Sequence, residues 1–95
     1  MVIGTGIITF RLYDIHSLKG KRKIIKSLIS RLRNSFNASI AEVGANDVLD
    51  RAEVGFSITG NDRRLVNSKI DKLINMAEDM GLAEIIDSEI EIINM

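Results

Sequence analysis

The chain contains no cysteine, no proline and no tryptophan, and a single histidine, His16. Each absence closes off a class of chemistry. Without thiols there are no disulfides, no zinc ribbons and no cysteine nucleophile. With one imidazole, a histidine-rich metal site would have to draw on several chains. Without proline, helical patterns run with no internal breaker. Aromatic side chains are limited to Phe10, Tyr13, Phe36 and Phe56, so base stacking of the RNA-recognition-motif type is not expected. No stretch is long enough and free enough of charge to span a bilayer. The first residues lack the basic leader and small-residue cleavage site of a signal peptide. The chain is therefore expected to be cytoplasmic, with no membrane partner.

What is present is one domain's worth of chain, 95 residues with ordinary apolar content. A chain of this length buries roughly 60–70% of its unfolded surface, enough for one core. The net charge of zero hides a division. Residues 1–40 carry eight basic residues against Asp14 alone, and residues 41–95 carry five against twelve acids. Such asymmetry suits a side that faces a polyanion, or two halves that attract each other within the fold or across a dimer.

The organising stretch is Ser17–Phe36. Leu18, Ile25, Leu28, Ile29, Leu32 and Phe36 follow the three- and four-residue spacing of a buried helix face. Lys19, Arg22, Lys23, Lys26 and Arg33 make a second stripe turned away from it. Ser17 suits the N-cap, but Gly20 stands where a capping box wants Glu or Gln. Basic residues in a first turn oppose the helix dipole by ~0.3–1 kcal/mol each, a cost that a bound anion would offset. Asn34 or Asn37 is expected to end the helix in a left-handed conformation.

Around that helix, residues 2–13 read as a strand with Ile8, Phe10 and Leu12 on one face and Ile7, Thr9 and Arg11 on the other. Gly4 and Gly6 lie on the first face, where glycine admits a close neighbour. Residues 38–43 read as a short strand with two competing facings, and 44–50 as a loop with one helical turn capped by Asn46. Residues 51–59 alternate cleanly, with Ala52, Val54, Phe56 and Ile58 inward. A second helix starts at Asn61 or Asp62, uses Leu65 or Val66 with Ile70, Leu73, Ile74, Ala77 and Met80, and stops at Gly81. Residues 82–93 form the last strand, with Ile86, Ile90 and Ile92 on one face and Asp87, Glu89 and Glu91 on the other. The order strand, helix, strand, strand, helix, strand predicts an α+β, ferredoxin-like βαββαβ sandwich: an antiparallel sheet with two helices on one face.

The chemistry-bearing residues are sparse. Asp14 and His16 near Lys19 read first as a polar turn and only second as acid–base machinery. Glu42, Asp47 and Asp50 lack the spacing of a calcium loop. Gly4-Thr5-Gly6 sits inside a strand with no following lysine, unlike a phosphate loop. No catalytic residue, metal or cofactor is expected. The candidate phosphate contacts are Lys19, Lys21, Arg22, Lys23, Lys26 and Arg33, with RNA as the plausible polyanion.

His16-Ser17-Leu18-Lys19, then Lys21-Arg22, Phe36-Asn37, Ser39-Ile40-Ala41-Glu42-Val43 and Arg51-Ala52, together resemble the YlxP-like family of small bacterial proteins. The resemblance implies a ferredoxin-like fold and no known catalytic residues. It also implies a gene neighbourhood shared with ribosome-binding factor A and a translation initiation factor, hence ribosomal RNA or ribosome-associated proteins as partners. Two departures from the family pattern are Gly20, where relatives commonly carry Glu, and Leu49, where many carry an aromatic. The first reading is thus a non-enzymatic RNA-associated accessory factor. The second is a homo-oligomeric interaction module using the exposed sheet face and the Val48–Leu49 loop. The third is a small enzyme or ligand-binding domain around His16, Glu42 and Arg51.

Overall fold

The computed structural model describes Met1–Met95. Six elements follow in order: β1 (Val2–Arg11), α1 (Leu18–Ser35), β2 (Ser39–Gly44), β3 (Arg51–Gly60), α2 (Arg63–Asp79) and β4 (Glu84–Asn94). The sheet is antiparallel throughout, in the order β2-β3-β1-β4, with both helices on one face. This is the expected βαββαβ sandwich. No helix is long and apolar enough to cross a membrane.

Sequence periodicity explains the core. Ile8, Phe10, Val54, Phe56 and Ile58 project from the central strands onto Leu28 and Leu32 of α1 and Ile70 and Leu73 of α2, all buried. Ser17 caps α1 by accepting the Gly20 N–H at 3.0 Å, an interaction typically worth ~1 kcal/mol. Asp62 rather than Asn61 caps α2, accepting from Arg64 and Leu65. Val66 takes the core position, leaving Leu65 59% exposed. Gly81 stands just beyond α2 at φ +65, a backbone conformation that costs glycine little. Gly4 lets α2 close on the sheet: a Cβ there would lie 2.6 Å from Ile70 Cδ1 and Val66 Cγ1.

Three expectations are corrected, and one left open is decided. Helix α1 ends at Phe36 in extended backbone, and neither Asn34 nor Asn37 is left-handed; the left-handed non-glycine residues are Asp14 and Ala45. The loop after β2 holds no helical turn. It turns on Ala45, whose carbonyl accepts the Val48 N–H at 3.0 Å. Strand β2 resolves its competing facings in favour of Ile40, which is buried. In β4 the ladder skips Ile86: Thr9 pairs with Asp87 but Phe10 with Ile85. That bulge puts Ile85 rather than Ile86 in register with the core face. Ile86 is accordingly left exposed.

The other sheet face is uncovered. By register it carries Ile3, Thr5, Ile7, Thr9 and Arg11 of β1, Arg51, Glu53, Gly55, Ser57 and Thr59 of β3, and Asp87, Glu89, Glu91 and Ile93 of β4. The residues expected there from alternation all lie on it.

Candidate functional site: a basic groove between helix and sheet edge

The spacing 21, 25, 28, 32 defines the buried face of α1, and it includes a lysine. Lys21 is 1% exposed. Its ammonium donates to the Ala45 carbonyl at 2.5 Å, reaches the Asn46 carbonyl at 3.5 Å and lies 3.3 Å from Glu42 Oε2. That carboxylate oxygen is itself shielded from solvent and accepts no aligned hydrogen bond, so the Lys21–Glu42 contact is an ion pair held by proximity. Lys21 is therefore removed from the expected phosphate-binding set. Its charge is spent inside, tying α1 to β2 and to the left-handed turn at Ala45. The signal was present in the sequence: Lys21 precedes Ile25 by four residues and Leu28 by seven, the spacing of the core face rather than of the basic stripe.

The remaining cations are outside. Lys19, Arg22, Lys23, Lys26 and Arg33 are all exposed. The Lys21–Glu42 contact is the molecule's one ion pair, so no carboxylate of the acidic C-terminal half lies within 4.0 Å of any of the five. Arg33 is partly committed, since its Nη2 donates to the Ile40 carbonyl of β2. Arg22, Lys26 and Arg33 line a groove of about 440 Å³ between α1 and the edge strand β2, with Ile25 and Ile29 on the helix side and Ala41 and Glu42 on the strand side. The first turn of α1 contains no acid. The groove's cations all stand on the helix side, and the one acid on the strand side, Glu42, is paired with Lys21, so an anionic chain would meet positive charge along α1.

The trio His16, Glu42 and Arg51 is not brought together. Glu42 stands opposite Val54 on the helix-bearing face of the sheet, whereas Arg51 stands opposite Arg11 on the uncovered face. The sheet separates the two side chains, and Glu42 already faces Lys21. The enzyme or ligand site imagined around these three is corrected accordingly. Glu42, Asp47 and Asp50 do not converge either, and no group of three possible metal-ligating side chains occurs. His16 is exposed at the turn before α1.

Comparison with known proteins agrees with this architecture. The chain is 32% identical over 63 residues to the uncharacterised protein YlxP of Bacillus subtilis (strain 168), covering 66% of this chain and 68% of that one. Among solved structures, a dimeric ferredoxin-like protein from an uncultured marine organism superposes with TM-score 0.52 at 10% identity, covering 100% of this chain and 98% of the other. A de novo designed protein with a ferredoxin fold gives TM-score 0.53 at 12% identity over 98% and 83% of the two chains. A VAO-type flavoprotein from Myceliophthora thermophila C1 matches at TM-score 0.57 and 11% identity, but the chain spans only 16% of its length. At such identities these structures speak to fold alone. Residues 3–90 match the family described as Protein of unknown function (DUF503), and with its YlxP relative and its βαββαβ sandwich the chain belongs to that family.

Proposed function

We propose that this protein is a non-enzymatic RNA-associated factor that holds phosphate backbone along the outer stripe of α1. Ribosomal RNA is the target favoured by the gene neighbourhood that the YlxP-like resemblance implies. The observation that carries the reading is the absence of any carboxylate partner for Lys19, Arg22, Lys23 and Lys26, despite twelve acids in the second half of the chain. Four such contacts give log K against log salt a slope of about −3 to −4. Arg33 adds less, because its guanidinium already serves Ile40. The test is fluorescence anisotropy with a ribosomal RNA fragment across a salt series. The expected result is that slope, reduced by about 2 in the Arg22→Glu/Lys26→Glu variant. Binding that ignores salt, or that survives charge reversal unchanged, would overturn the proposal.

A second reading is favoured by the uncovered sheet face, which exposes Ile7 and Ile93 between polar neighbours. Four strands at ~4.8 Å spacing and ten residues at ~3.4 Å give a face of roughly 600 Å², somewhat below the ~800 Å² per partner of a standard interface. A homodimer packed through this face is the corresponding prediction. Sedimentation should then show a dimer at micromolar concentration that Ile7→Lys converts to monomer. A strictly monomeric wild-type chain would remove this reading.

A further inference from the structure

The uncovered face ends in two arginines that have no ion-pair partner. Arg11 and Arg51 are Cα partners on the terminal rung of the β1–β3 ladder, so their side chains leave the same face ~4.5–5.5 Å apart at Cβ. Like charges in that relation repel and destabilise the pair. No carboxylate oxygen lies within 4.0 Å of either guanidinium. The two nearest acids are turned to other partners, although Glu84 keeps its negative charge at the edge of the patch. Glu53, the next residue of β3 on this face, lies against Gly44 on the far side. Glu84, the β4 partner of Arg11, accepts the Tyr13 hydroxyl at 2.6 Å.

Tyr13 is the second observation. It is the one strongly exposed ring, at 59%, because Phe10 and Phe56 are buried and Phe36 half-buried. Its hydroxyl is anchored by donating to Glu84, so the ring is held in place while most of the residue stays in solvent. The bond to Glu84 raises the hydroxyl's pKa, opposed by the nearby Arg11 guanidinium. Glu84 is also the ladder partner of Arg11, which places Tyr13 and Arg11 around one carboxylate. An anchored, exposed ring next to Arg11, with Arg51 across the same rung, supplies a stacking surface and a charge-assisted clamp for phosphate oxygens.

We propose that Arg11, Arg51 and Tyr13 form a nucleotide-binding patch, with one phosphate bridged by the two arginines and its base stacked on the tyrosine ring. The patch lies on the face opposite the helices and does not rest on the α1 reading. The shared chemistry is a base joined to a phosphate, which a free nucleotide and a single-stranded nucleic acid both carry.

The chain's one tyrosine makes the test specific. Its ring resonances are followed by NMR during titration with adenosine monophosphate, with a short oligoadenylate and with inorganic phosphate. The expected result is saturable ring shifts with the first two probes and none with inorganic phosphate. Arg11→Gln/Arg51→Gln should abolish the shifts. Tyr13→Leu, followed by anisotropy of a labelled oligoadenylate, should weaken binding by about 5- to 100-fold. Arg22→Glu/Lys26→Glu should leave the ring titration intact, which separates this patch from the α1 groove. Tighter binding of the oligoadenylate than of the mononucleotide identifies a strand as the ligand, and equal binding a free nucleotide. No ring shift with either nucleotide probe, shifts that persist without the two arginines, equal shifts with inorganic phosphate, or loss of the titration in the α1 variant would each overturn it.

Discussion

Replacing Lys21 by alanine is expected to lower the melting temperature by roughly 12–24 °C, a loss on the scale of truncating a core leucine although the residue is charged. Removing one member of a buried ion pair strands the other, at a cost of ~3–5 kcal/mol. The lower end applies here because Glu42 retains 18% exposure toward the groove. For a domain of this size ~1 kcal/mol shifts the midpoint by about 4–8 °C. The loss has two parts: Glu42 is left as an unpaired carboxylate, and the Ala45 carbonyl loses its donor. Lys21→Met/Glu42→Leu should recover most of the first part, since well-packed apolar side chains replace buried ion pairs with little penalty. It should not recover the second, worth ~1–3 kcal/mol. Thermal unfolding of wild type, single and double variant measures the coupling directly. A Lys21→Ala melting point within a few degrees of wild type would mean that the ammonium reaches water and that the interior pair contributes little.

Gly6→Ala is the second large effect, and it illustrates how the nature of a neighbour outweighs its distance. A Cβ at residue 6 would sit 2.6 Å from the Glu89 carbonyl oxygen and 2.7 Å from Phe56 Cζ. The first is backbone of the adjacent strand β4, and the second is a ring buried in the core. Neither can swing aside, so β1 and β4 must part locally, with an expected loss of ~1–3 kcal/mol and a fall of roughly 4–24 °C in melting temperature. Gly44→Ala provides the contrast. Its added methyl would fall on the Glu53 carboxylate, a still closer encounter, yet that group ends a flexible side chain that can rotate into solvent. Gly44→Ala should melt near wild type. If Gly6→Ala also did, the tight β1–β4 register at residue 6 would be wrong. Hydrogen exchange along β4 would locate the opening, because the Glu89 carbonyl is the group displaced.

The element order, the cap at Ser17, a start for α2 at Asn61 or Asp62, and the inward faces of β1, β3 and most of both helices are legible in the chain alone. They rest on local periodicity and on side chains that satisfy backbone groups a few residues away. Even the burial of Lys21 is written in its four- and seven-residue spacing to Ile25 and Leu28; charge masked a position that geometry already marked. Other features arise only when strands meet. Which residue of β4 the bulge skips depends on matching β1 across the ladder, and no local pattern distinguishes Ile85 from Ile86. The separation of Glu42 from Arg51 is half local: alternation already turns Arg51 outward, but β2 has two competing facings and Glu42 acquires its side only when Ile40 pairs with Phe56. The same holds for Arg11 beside Arg51, 40 positions apart in the sequence and brought to one rung by antiparallel β1–β3 pairing. Periodicity fixes orientation about one element's own axis, whereas neighbours across the sheet are set by register, which only the assembled strands define.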